Sequence, residues 1–180
     1  MKPIRSFALG AALLLLPALA SAQTTVTLPD TSQTTTMTAS VSEQAQVTVP
    51  AGVTFNVTDI SGSTAASAAS VTVDNIVLET ATKQLQVSIQ ANAADFTPPV
   101  GGATTWSAGD VTWNAATWTS AAGASGTLSN AAYAEVATCT VDTASCSTTG
   151  LVFTLAANTA VQRSGNHTLV ITWKFESIGA

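Results

Sequence analysis

An antiparallel β-sandwich, immunoglobulin-like or jelly-roll in plan, with about eight or nine strands, is the fold class this sequence predicts. Three observations point there. Apolar residues recur at every second position in one segment after another, whereas helical spacing does not recur beyond the first two dozen residues. Gly, Pro, Asn and Ser clusters interrupt these segments every ten residues or so. Thr and Val are abundant, and β-branched side chains suit a pleated, half-buried surface.

In chain order, the first element is not part of the fold. MKPIRSFALGAALLLLPALASAQ places Lys2 and Arg5 ahead of an apolar run that ends in Ala20-Ser21-Ala22, a small-residue cleavage pattern. This is the pattern of a secretory signal peptide, assigned to residues 1–22. The run is shorter than the roughly 20 residues a membrane span needs, so no integral membrane segment is expected once it is removed. Residues 23–35 form a Thr-rich N-terminal extension, and 36–180 a single sandwich domain.

Within that domain Met37, Ala39, Val41, Ala45, Val47 and Val49 share one parity. Pro50-Ala51-Gly52 then breaks the run, and Val53, Phe55 and Val57 resume it, which reads as a hairpin. SGSTAASAAS (61–70) is a low-complexity loop. Segments 71–79 and 85–91 form the next strand pair, with Leu85, Val87 and Ile89 on one face. Pro98-Pro99 and Gly101-Gly102 cannot continue a ladder. Val111 and Trp113 mark a short strand, AAGASG a turn, and 132–140 a strand that includes Tyr133 and Val136. Leu151, Phe153 and Leu155 define another strand. Leu169, Ile171, Trp173 and Phe175 define the last, and Ile171→Asp is expected to prevent folding by burying an unpaired charge.

Charge excludes several functions. The formal net charge of −5 falls to −7 once Lys2 and Arg5 leave with the leader, and Lys83, Arg163 and Lys174 are the remaining cations. A basic footprint for nucleic acid or anionic lipid is absent. Hydrophobic residues make up 46% of the chain, which separates it from the polar, highly charged composition of disordered proteins. Cys139 and Cys146 flank TVDTAS, and in an exported protein such a pair reads as a disulfide. A metal site would need further ligands, and His167 is the one imidazole.

No catalytic set emerges. A nucleophile needs a base and a group to orient it, and His167 begins the apolar face of the last strand, the position of a hydrogen-bonded structural histidine. GxSxG and HExxH are absent. Neither a cofactor nor a metal is expected. Trp106, Trp113 and Trp118 are the candidate ligand-binding residues, because aromatic rings on a sandwich can stack on sugars. Against that, Trp113 shares parity with Val111 and would face the core. Asn56-Val57-Thr58 and Asn166-His167-Thr168 match the glycosylation sequon, as chance allows in a Thr-rich chain.

Gly165 followed by His167, Leu169, Ile171, Trp173 and Phe175 in the terminal strand resembles the ends of secreted bacterial fimbrial subunits and spore-coat-U-like surface proteins. The leader, the Thr-rich start and the single small disulfide are similar to that plan. The penultimate tyrosine of chaperone-assembled pilins is missing, and Cys139 and Cys146 sit late in the chain instead of bridging the first strands. The resemblance implies assembly by strand donation, with residues 23–40 completing a neighbour's sheet. The expected function is therefore a non-catalytic secreted or cell-surface structural protein, extracellular or periplasmic, self-associating through exposed sheet edges or meeting other surface proteins. The alternative is a carbohydrate-binding or adhesive module using the three tryptophans, with a glycan as its ligand.

Overall fold

Residues 25–179 are described by a computed structural model. The leader assigned to 1–22 lies outside the described residues. The chain divides into two compact units at Ala39/Ser40, four residues beyond the boundary expected at 35/36.

In the first unit, residues 25–39 contain no strand. Asp30 organises a local turn, accepting bonds from Ser32 N (2.9 Å), Ser32 Oγ (2.6 Å) and Gln33 Nε2 (2.9 Å). Such Asx-type bonds offer the backbone an alternative to a ladder.

The second unit is all β. Its strands are β1 (Gln44–Thr48), β2 (Thr64–Ala65), β3 (Ala69–Val77), β4 (Gln84–Ala91), β5 (Val111–Trp113), β6 (Ala121–Gly123), β7 (Gly126–Thr127), β8 (Ala134–Cys139), β9 (Cys146–Leu151), β10 (Phe153–Leu155) and β11 (Ile171–Ile178). They form three antiparallel sheets, β1-β3-β9, β2-β10-β5-β7 and β11-β4-β8-β6. Only Val152 separates β9 from β10, so the second sheet continues the first and the third faces them. The result is an antiparallel β-sandwich.

The core follows from the alternation. Val71 and Val73 from β3, Val87 and Ile89 from β4, Val136 from β8 and Leu151 from β9 are fully buried. Inward faces of opposed sheets thus interdigitate, as sandwich packing requires. Each such side chain contributes roughly 1.5–3 kcal/mol through its burial.

Several local expectations change. Eleven strands replace about eight or nine, because Leu151, Phe153 and Leu155 belong to two strands in two sheets. Segments 71–79 and 85–91 are not a hairpin: β3 pairs with β1 and β9, and β4 with β8 and β11. The connection between them crosses from one layer to the other. AAGASG is not a single turn either: Ala121–Gly123 is β6, Gly126 begins β7, and only Ala124 and Ser125 cross between their two sheets. Period-two alternation identifies which face is apolar but not which strand is the neighbour.

Gly126 shows why the aromatic residues need small partners. A Cβ at this position would collide with the Trp113 indole. Gly126→Ala should therefore force Trp113 off its rotamer and lower the melting temperature, at a cost of about 1–3 kcal/mol. Circular dichroism melts would register the change.

A polar cluster fastens one end of the sandwich. Lys83 Nζ reaches Glu79 Oε2 at 2.7 Å and Glu43 Oε1 at 3.1 Å, while Glu43 also accepts from Glu79 N (2.8 Å) and Ser177 Oγ (3.2 Å). The Glu79 backbone N–H first, and the Lys83 ammonium next, hold the Glu43 carboxyl below the usual glutamate range. Because the folded value is depressed, the stabilisation is complete above the unfolded value and disappears as pH falls through the folded one. Glu43→Gln should accordingly flatten the acid side of the stability profile below about pH 4.3. Denaturant melts across that range would measure it.

Candidate functional site

The last strand is where the fold is incomplete. β11 pairs with β4 along its whole length, from Ile171↔Ala91 to Ile178↔Gln84. Its other edge meets no strand among the described residues, since the sheet order begins at β11. The side chains of Leu169, Ile171, Trp173 and Phe175 face inward by parity, yet all four are only half-buried. An inward-facing row on an edge strand stays wet when nothing covers its flank.

A second unfinished segment lies opposite. Residues 49–57 keep a strand-like alternation, with Val53, Phe55 and Val57 half-buried and Thr54 and Asn56 exposed. They nevertheless join no ladder, so Val53, Phe55 and Val57 form no hairpin with β1. Unpaired extended backbone with one apolar face is what a strand looks like without its neighbour.

Between these two rims runs a groove of about 1140 Å³, whose floor includes Phe96, Trp106, Val111, Leu128, Phe153 and Leu155. The rims run in opposite directions. Glu43, just before β1, touches Ser177 at the end of β11, so one rim leaves that end of the sandwich and the other arrives at it. At this end Glu43 joins Lys83 and Ser177, and none of the three lines the groove.

His167 is part of the groove wall and has a structural setting. Its Nδ1 lies 2.7 Å from Thr105 Oγ1 and its Nε2 3.1 Å from the Arg163 carbonyl. The Trp106 ring meets it edge-on at 5.3 Å. With Nε2 donating to the carbonyl, Nδ1 is left to accept from the threonine hydroxyl, and both ring nitrogens are used. His167 precedes β11 instead of beginning it, because Thr168 bridges to Thr97 and regular pairing with β4 starts only at Ile171.

The tryptophans do not come together on an exposed face. Trp106, Trp113 and Trp118 are 5%, 3% and 8% exposed. Trp106 Nε1 donates to the Ala156 carbonyl and Trp113 Nε1 to the Ala124 carbonyl, each at 3.0 Å. A stacking platform needs a bare ring face, and these rings are packed into the core. Cys139 and Cys146 form a disulfide, with Cα atoms 5.9 Å apart. Among the described residues no cluster of three or more His, Cys, Asp or Glu side chains gathers to hold a metal ion. No helix among them is long and apolar enough to cross a membrane.

The alternation at Val53, Phe55 and Val57, with that at Leu169, Ile171 and Trp173, was the sequence signal for the two rims. It marks an apolar face without saying that the face lacks a cover. No known protein family, no characterised protein and no solved structure matches this chain.

Proposed function

We propose that this chain is a non-catalytic structural protein of the cell exterior that associates with further copies of itself through the open edge of its sandwich. The observation that carries this reading is the groove, with unpaired backbone on both rims and a half-exposed apolar row along β11. An edge of this kind templates strand addition: main-chain hydrogen bonds supply affinity and alternate side chains fill the pockets. Export is supported by the leader pattern and by the buried disulfide, a bond that persists in oxidising compartments.

Self-association also explains the composition. With charged residues at 8% of the chain, few lysines or glutamates guard the edges, and soluble monomers ordinarily place them there. Light scattering after size exclusion, together with electron microscopy, tests the proposal. Oligomers or filaments that grow with concentration are the expected result. A strict monomer at high concentration would overturn it.

A further inference from the structure

We infer that the groove is a binding site for a free long-chain fatty acid, with the acyl chain on its apolar floor and the carboxylate on Arg163. This goes beyond the self-association reading and does not depend on it. An added strand is held by rim backbone, whereas an acyl chain is held by side-chain surface alone.

Charge singles out Arg163. Lys83 pairs with Glu43 and Glu79, and Lys174 pairs with Glu176. Among the described residues Arg163 joins no ion pair, and its guanidinium makes no hydrogen bond. It is exposed and lines the groove, whose described lining includes no Asp or Glu. In this acidic chain, two of the three cations beyond the leader are thus neutralised by neighbours. The third stands unopposed beside an apolar surface. A guanidinium so placed matches a carboxylate, to which it donates two parallel bonds.

The backbone holds this residue in a costly conformation. Arg163 has a φ of +73°, in the left-handed region where Asn and Asp are enriched and other side chains are uncommon. Its surroundings impose that geometry. His167 Nε2 donates to the Arg163 carbonyl (3.1 Å), Thr105 Oγ1 bonds the other ring nitrogen (2.7 Å), and the Gln162 amide reaches the Thr104 carbonyl (3.0 Å). Gly165, at φ +131°, lies so close to Pro99 that a Cβ there would stand 3.0 Å from the proline Cβ. Strain that the surrounding structure enforces clusters at ligand clamps. His167 is thereby a positioning residue for Arg163.

The rest of the groove suits the acyl chain. Its floor, from Phe96 and Trp106 to Phe153 and Leu155, is aromatic and aliphatic. The one polar side-chain atom there, Trp106 Nε1, is already bonded to the Ala156 carbonyl. Small-molecule sites combine such a lining with a few placed polar groups in roughly 300–1,000 Å³, and at about 1140 Å³ the groove does not limit a long chain. A bilayer surface is the poorer match, because anionic lipid surfaces are bound by clustered cations and this groove offers one arginine.

Titration of the full chain with myristate below its micelle concentration, with the protein dilute, tests the proposal. Trp106 and Trp173 line the groove and serve as reporters. A saturable blue shift of tryptophan emission is expected, and laurate, two methylenes shorter, should bind on the order of tenfold more weakly. Arg163→Gln should weaken myristate at least tenfold while leaving myristyl alcohol unchanged, and Arg163→Lys should recover part of the loss. Both variants should melt like the unmodified chain, because the side chain is exposed. Phe55→Asp, on the groove wall, should weaken acid and alcohol alike. The proposal is overturned if myristate gives no saturable response, if R163Q binds it as tightly as the unmodified chain, or if F55D binds both ligands unchanged. Binding to phosphatidylglycerol vesicles without binding of the free acid would overturn it as well.

Discussion

Ile89→Asp is expected to abolish folding, whereas Ile171→Asp should leave a folded protein with a lower melting temperature. Ile89 is fully buried at the centre of its sheet, opposite Trp173 on one side and Ala134 on the other. A carboxylate there has neither water nor a partner, and the penalty of several kcal/mol rivals the roughly 5–15 kcal/mol that holds a domain together. Ile171 has the same parity relation to the core but sits at the groove mouth, half-buried. Its carboxylate would reach water, so the sequence-based expectation that this substitution prevents folding is revised. Far-ultraviolet circular dichroism and thermal melts on both variants give the comparison. Equal loss of structure in the two would mean that the edge beside β11 is closed.

Removing the disulfide by Cys139→Ala with Cys146→Ala should cost about 2.5 kcal/mol by the loop-entropy relation for a ring this short. For a domain of this size that corresponds to a fall of roughly 5–10 °C in melting temperature. The bond is placed to matter. Cys139 ends β8 in the third sheet and Cys146 begins β9 in the first, and both are buried. It therefore ties the two layers where the chain crosses between them. Melts of the double variant beside the unmodified chain, with and without reductant, would show the shift. An unchanged melting temperature would assign the turn to its backbone bonds, such as Ile76 N to the Ala144 carbonyl at 3.0 Å.

Much of the architecture was legible in the sequence. Leu85, Val87 and Ile89, or Leu169, Ile171, Trp173 and Phe175, announce strands because a period of two admits no other regular structure. The paired cysteines announced their bond through spacing and context. Partners were not legible: segments 71–79 and 85–91 are adjacent in sequence and lie in different sheets. Neither was the burial of Trp106 and Trp118, which occupy loops yet pack inward, Trp106 against Phe96 and His167 and Trp118 over Gly123.

Alternation, composition and the two cysteines were enough to specify an all-β sandwich, its apolar faces and its disulfide, since each depends on local geometry and on residues near one another in the chain. Tertiary structure alone decided that Thr105 and the Arg163 carbonyl hold His167, that Trp106 and Trp118 are packed away along with Trp113, and that the row from Leu169 to Phe175 is only half covered. Exposure of an edge depends on whether a neighbouring strand exists at all. An alternating stretch carries the same apolar face whether its flank is paired or bare.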